Sequence, residues 1–232
     1  MPNFEIIPAI IPKNIEELED KMSSLRNLVP VVQIDVLDGS LVSARSWPYQ
    51  SPSKSDSFFD DILKEKEGFP FWEQLEFEAH LMVRQPELII SDWIIAGASR
   101  IIVQLEGCKD FNAVVTEVAE RVPLGVSLAL DTPEELLEPI ADKVSIIQCM
   151  GWNFSNLGQQ GKTFDEGTLN RVRRLRQLYP EHIISVDGGV NLENAPLLLF
   201  SGATRLVVGS ALWADGSLRE NLAKFKSLKN ES

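Results

Sequence analysis

Val31-Val32-Gln33-Ile34-Asp35-Val36-Leu37-Asp38-Gly39 is a run of apolar, mostly β-branched residues interrupted by two polar groups two places apart, Gln33 and Asp35, and closed by a turn signal. On an extended chain Gln33 and Asp35 fall on one side and Ile34 on the other, so the polar members line one face while Ile34 packs into the layer behind. Buried strands that end by handing polar groups to a rim are the pattern of an α/β barrel, whose chemistry sits at the C-terminal ends of its strands. Two distant stretches repeat the pattern: Ala79-His80-Leu81-Met82-Val83 and Val186-Asp187-Gly188-Gly189-Val190. His80 shares a side with Met82, and Asp187 with Ser185. Two carboxylates and an imidazole at one rim are the makings of a proton-transfer site.

Working outward, short β-branched runs alternate with longer segments of helical period, the mark of βα units around a parallel sheet. Strands are expected over Phe4 to Ile10, Val31 to Val36, Phe77 to Met82, Arg100 to Leu105, Leu124 to Ala129, Val144 to Cys149, Ile183 to Asp187 and Arg205 to Val208. Helices are expected over Ile15 to Leu28, Phe58 to Glu67, Pro86 to Ala96, Phe111 to Arg121, Pro133 to Ile140, Phe164 to Leu178, Leu192 to Phe200 and Leu218 to Lys226. Eight of each predict a closed (β/α)8 TIM barrel, one domain over residues 1–232, with an open doubly wound sheet as the competing arrangement. The one irregular stretch is a long rim insertion at about residues 40–76, whose turn-rich, aromatic start reads either as a lid or as a mobile loop without catalytic role.

A chain of 232 residues with 44% hydrophobic and 24% charged residues is an ordinary globular composition. The formal net charge of -12 repels phosphate backbones and anionic lipid headgroups, so neither nucleic acid nor a membrane is an expected partner. A phosphorylated metabolite remains compatible, because backbone N–H groups supply local positive potential whatever the net charge. The N-terminus has no basic segment leading into an apolar core, and the most apolar stretch, Leu88 to Leu105, is broken by Asp92 and Arg100. A cytoplasmic protein is the expectation. Cys108 and Cys149 have no metal-ligand or redox spacing and read as reduced thiols.

Five motifs in order, Pro8-Ala9-Ile10-Ile11, Asp35-Val36-Leu37-Asp38-Gly39, His80-Leu81-Met82-Val83, Val186-Asp187-Gly188-Gly189-Val190-Asn191 and Gly209-Ser210-Ala211-Leu212, resemble the signatures of the ribulose-phosphate 3-epimerase family. The match runs from about Ile7 to Trp213. The resemblance implies a (β/α)8 barrel that epimerises a phosphorylated pentulose beside its ketone through an enediolate, with Asp35 and Asp187 as the two catalytic carboxylates on opposite faces of the carbon. It also implies a divalent metal (zinc, iron or manganese) held in the family by two histidines and the same two aspartates, which places Asp35, His80 and Asp187 in the metal set.

The chain departs from that pattern inside the pocket. Gln33 stands where the family has its first metal-binding histidine, and an amide oxygen suits hard cations but replaces imidazole poorly at zinc. Ala9 stands for a substrate-contacting serine and Gln104 for another histidine. These changes motivate an alternative reading, a degenerate member that binds a sugar phosphate without metal-dependent epimerisation. Leu37, Met82 and Met150 complete the expected pocket wall with Ala9 and Gln104. The resemblance extends to a glycine-rich loop at Gly158 and Gly161-Lys162, which joins Gly188, Gly189, Gly209 and Ser210 as the expected phosphate-binding set, the last four on the expectation that they precede helices.

Taken singly, Asp38-Gly39 is a turn, a lone His80 is a satisfied core residue, and Trp47, Trp152 and Phe154 either cover the substrate or merely pack. Expected partners are a small phosphorylated sugar and, in a homo-oligomer, other copies of the chain.

Overall fold

The computed structural model describes residues 4–52, 54–159, 161–214 and 216–228. Eight parallel strands close into a barrel in the order β1 (Glu5–Ile10), β10 (Arg205–Val208), β9 (Ile183–Asp187), β8 (Ile146–Met150), β7 (Leu124–Leu128), β6 (Arg100–Gln104), β5 (Glu76–Leu81) and β2 (Val31–Val36). Closure removes the free edges that an open sheet would leave, which decides between the two architectures. The described residues form two compact halves, a first of residues 9–126 and a second of residues 4–8 with 127–228, the divisions falling inside β1 and β7.

In the first half, the register β2–β5 sets Asp35 beside His80 and Gln33 beside Glu78, and β5–β6 sets His80 beside Ile102. The helices around it are capped by their own sequence: Asn14 accepts from the Glu17 amide at the start of α1 (Ile15–Leu25), Asp56 from Phe59 at α2 (Ser57–Leu63), and Asp110 from Asn112 at α4 (Phe111–Val118). The helix expected from Pro86 to Ala96 is divided. A 3-10 turn at Pro86–Leu88 precedes α3 (Ile90–Ile95), with Ile89 at φ -127 between them.

The stretch from residue 40 to 76, expected to be irregular, carries a small antiparallel ladder of β3 (Tyr49–Ser51) and β4 (Lys54–Ser55), followed by α2. Trp47 packs edge-on to Phe59 with ring centroids 5.6 Å apart and lies 6.0 Å from Phe69, which stacks at 3.9 Å on Phe77 of β5. Trp93 of α3 joins the cluster and donates from Nε1 to the Tyr49 hydroxyl at 3.3 Å. Trp47 is therefore a core residue of this half, and of the two readings left open for it, packing holds.

In the second half, β8 and β9 align Gln148 with Ser185 and Met150 with Asp187. The helix expected over Pro133 to Ile140 is absent. Short 3-10 turns stand at Glu134–Leu137 and Ala141–Lys143 instead, because Pro139 lacks the N–H that an α-helix needs there, although Glu138 before it keeps helical angles (φ -50, ψ -47). Arg171, on α5 (Gly167–Leu178), is buried and donates from Nη2 to the carbonyls of Leu130 and Thr132 at 2.7 and 2.6 Å, tying down the loop after β7. The helix expected to begin at Leu192 begins later, as α6 (Ala195–Phe200), because Asn191 and Asn194 cap one another: each side chain accepts from the other's backbone amide. α7 (Leu218–Lys226) starts on Ser217, whose hydroxyl accepts from the Glu220 amide.

Two glycines set how closely the strand ends approach. A Cβ on Gly151 would lie 1.9 Å from the Gly188 carbonyl oxygen, and one on Gly107 would lie 2.0 Å from that of Val83. Neither position admits a side chain without backbone movement. Among the described residues no helix is long and apolar enough to cross a membrane.

Candidate active site

The polar residues singled out in the sequence are gathered at the carboxyl ends of the strands. In the first half, Gln33, His80 and Gln104 are wholly buried and Asp35 is 5% exposed. Gln33 donates from Nε2 to Asp35 Oδ1 at 2.7 Å and stands 3.5 Å from His80 Nδ1. His80 Nδ1 is itself 3.4 Å from Asp35 Oδ1, and its other ring nitrogen, Nε2, is 3.0 Å from Gln104 Oε1. Gln104 in turn donates from Nε2 to Glu106 Oε2 at 2.6 Å. The result is a continuous chain of contacts from Glu106 through Gln104 and His80 to Asp35, with Gln33 alongside.

The end of β2 is held by a residue that the sequence did not mark. Ser46 Oγ donates to the Asp35 carbonyl at 2.8 Å and accepts from the Leu37 amide at 3.0 Å, so the loop after β2 folds back and fixes the strand bearing Asp35. Asp38 does form the expected turn, its Oδ1 accepting from the Ser40 amide at 2.8 Å, with Gly39 at φ +86. Ala9, Leu37 and Met82, expected in the pocket wall, are all buried.

In the second half Gln148 donates from Nε2 to Asp187 Oδ2 at 3.1 Å, while Ser185 Oγ donates to Gln148 Oε1 at 3.1 Å. This relay aims the amide so that its N–H end faces the carboxylate. The backbone amide of Gly151 meets the Asp187 carbonyl at 2.6 Å, and the Trp152 ring lies against Gly188, where a Cβ would come within 2.9 Å of it. Trp152 is thus a packing residue of the Asp187-Gly188 turn, and Met150 is buried at the same register level. Asp35, His80 and Asp187, each buried, offer ligand atoms that all lie within 4.8 Å of one another.

The phosphate set is less uniform than its sequence suggests. Gly158, Gly161, Gly188 and Gly189 all take φ between +68 and +109, which glycine alone adopts freely. Gly209 and Gly161 have open space where a Cβ would stand. Lys162 is exposed and, with Thr163, Gly189, Asn191 and Asn194, lines a cavity of about 340 Å³. Gly188-Gly189 and Gly209-Ser210 precede α6 and α7, but other turns intervene: Gly189 is followed by the Asn191/Asn194 turn, and Ser210 opens a 3-10 turn, Ser210–Leu212.

Neither cysteine belongs to the site. Burial pushes both thiols up, Cys149 to about 12 and Cys108, with help from Glu87 and Glu106, also to about 12. Arg100 and Arg205 pair with Glu78 and Glu5 at 2.7 and 3.0 Å, each at the start of its own strand, the end opposite the aspartates.

A closed parallel barrel carrying an aspartate, a histidine and a second aspartate at the ends of β2, β5 and β9 defines an α/β barrel with a carboxylate–imidazole centre at its C-terminal rim. The model of the "Ribulose-phosphate 3 epimerase family" matches residues 5–213, and the chain belongs to that family. Curated relatives include ribulose-phosphate 3-epimerase of Treponema pallidum, 28% identical over 231 residues that cover 97% of this chain and 98% of that protein. The ribulose-phosphate 3-epimerase of Bacillus subtilis is 29% identical over 161 residues, 67% of this chain and 73% of that protein. Among solved structures, 3-keto-L-gulonate-6-phosphate decarboxylase from Vibrio cholerae superposes with a TM-score of 0.65 at 14% identity, covering 97% of this chain and 96% of that one, a likeness of fold.

Proposed function

We propose that the protein epimerises a phosphorylated ketopentose at the carbon next to its ketone, with Asp35 and Asp187 as the acid/base pair. The observation that carries this reading is the gathering of Asp35, His80 and Asp187, from three separate strands, so that their ligand atoms lie within 4.8 Å. One carboxylate removes the proton and the other returns it on the opposite face, each transfer of this kind contributing about 10²–10⁴ in rate. Buried donors hold both acids: Gln33 turns its amide N–H to Asp35, and Gln148 turns its own to Asp187.

The donor set fits a divalent cation such as zinc, iron or manganese. Two hard carboxylates and one imidazole converge, with His80 Nδ1 3.4 Å from Asp35 Oδ1. Asp35, His80 and Asp187 would hold it; Gln33 presents a donor to Asp35 and would become a ligand only with its amide reversed. Bound there, the cation would act as a Lewis acid for the charge that develops on the enediolate oxygens. Gly188, Gly189, Gly209, Ser210, Gly158, Gly161 and Lys162 are proposed to receive the phosphate, chiefly through backbone N–H groups beside open space.

The test is solvent deuterium uptake into ribulose 5-phosphate by purified protein, with and without added divalent metal. Uptake with formation of the epimer is expected; its absence in every metal condition removes the reading for this sugar. Gln33, Ala9 and Gln104 favour the second reading, a binder without turnover, and ligand-induced thermal stabilisation without any exchange would select it.

A further inference from the structure

We propose that Gln104 and Glu106 are positioning residues that keep a hydrogen on His80 Nε2, so that Nδ1, on the side of Asp35, is the ring nitrogen available to a cation. The amide of Gln104 is fully buried and has two different ends. One end, Nε2, meets a carboxylate oxygen of Glu106 at 2.6 Å, and an ionised carboxylate only accepts, so this contact decides which way the amide lies. The other end is then the carbonyl Oε1, 3.0 Å from His80 Nε2. A carbonyl also only accepts, so the hydrogen must sit on the ring nitrogen. Of the two ring nitrogens, Nδ1 is therefore the one that can serve as a ligand.

On the opposite side of the ring, Gln33 Nε2 donates to Asp35 Oδ1 at 2.7 Å and stands 3.5 Å from Nδ1, so with the hydrogen on Nε2 the Nδ1 lone pair faces an amide N–H. The turn carrying Glu106 is rigidly placed: it is a 3-10 turn over Leu105–Gly107, Gly107 accepts from the Gln85 amide at 3.0 Å, and its α-carbon is pressed against the Val83 carbonyl. All of these residues lie in the first half of the chain. Were Glu106 unable to accept, the Gln104 amide would be free to reverse, and its N–H end would favour the tautomer with hydrogen on Nδ1. The functional consequence rests on the proposed metal centre, where an outer partner that fixes a ligating histidine typically changes affinity by about 10–100-fold.

The experiment uses the full-length, metal-free protein with ¹⁵N-labelled histidine. Long-range ¹H–¹⁵N correlations report which ring nitrogen bears hydrogen, and a His182→Asn variant separates the two histidines. The expected spectrum, recorded at a pH where the imidazole is neutral, shows His80 protonated at Nε2 and not at Nδ1. Gln104→Leu and Glu106→Leu, which removes the acceptor altogether, are each expected to move population to Nδ1–H and to weaken zinc binding, measured by chelator competition, by about 10–100-fold. If Gln104→Leu does not fold, Glu106→Leu alone decides. A wild-type spectrum with hydrogen on Nδ1, or a folded Glu106→Leu protein with an unchanged His80 spectrum and unchanged zinc affinity, overturns the proposal. The expected spectrum in a protein that binds no zinc supports the tautomer assignment and overturns the metal centre proposed above.

Discussion

Gly151→Ala is the substitution whose effect follows most directly from the coordinates. The new methyl carbon would lie 1.9 Å from the Gly188 carbonyl oxygen and 2.9 Å from its carbon, both backbone atoms that no side-chain rotation can move away. Reaching even a tight 3 Å contact requires one backbone or the other to shift by about 1 Å. Overpacking of this kind costs about 3 kcal/mol, which for a domain of this size corresponds to a fall in Tm of about 6–12 °C. The strain lands on the residue that the proposed chemistry needs, since the Gly151 amide donates to the Asp187 carbonyl at 2.6 Å and Gly188 follows Asp187 directly. Displacement of a catalytic group by about 1 Å costs about 10²-fold in rate. The assay pairs a thermal melt with deuterium uptake into ribulose 5-phosphate, compared at a temperature where the variant is fully folded. A variant with wild-type Tm and wild-type exchange would show that the close approach of these two turns is not a constraint.

Further outcomes are expected. Asp35→Asn and Asp187→Asn should each lower exchange by about 10²–10⁴-fold while the proteins stay folded by circular dichroism; full activity in either variant removes that residue from the acid/base pair. Trp47→Ala should cost about 3–5 kcal/mol in urea unfolding, because it empties the centre of the cluster with Phe59 and Phe69 and removes the indole N–H that donates to Asp56. A loss well under 1 kcal/mol would mean that the residue 40–76 stretch is not anchored there. The thiols of Cys108 and Cys149 should not react with a disulfide reagent at pH 8 until the protein is denatured. Because burial raises both to about 12 from 9.0, the folded state keeps protons that the unfolded chain releases, so stability should fall as pH rises from about 9 towards 12, and less steeply in Cys149→Ala.

Much of this protein is legible in its sequence because barrel strands obey a period of two and helices announce their ends. The alternation of Gln33, Ile34 and Asp35 fixes which side chains face inward, and the bounds of β2, β9 and β10 coincide with those expected. The same local rules mark Asp35, His80 and Asp187 as rim residues. They failed where a local signal was weak or was overruled by a neighbour: at Pro139, which turns an apparent helix into 3-10 turns, and at Asn191 and Asn194, whose mutual capping delays α6.

What tertiary structure alone decided is contact between residues far apart in the chain. Sequence spacing shows that Gln104 and Glu106 share a strand end, but not that the amide oxygen of one meets a histidine 24 positions earlier. Nor does it show that Ser46 pins the strand of Asp35, that Trp47 is core, or that Gly151 must be glycine because a distant carbonyl occupies its side-chain space. Periodicity is a property of the local backbone and can be read along one dimension; hydrogen-bond direction and close packing depend on which surfaces the closed ring brings together.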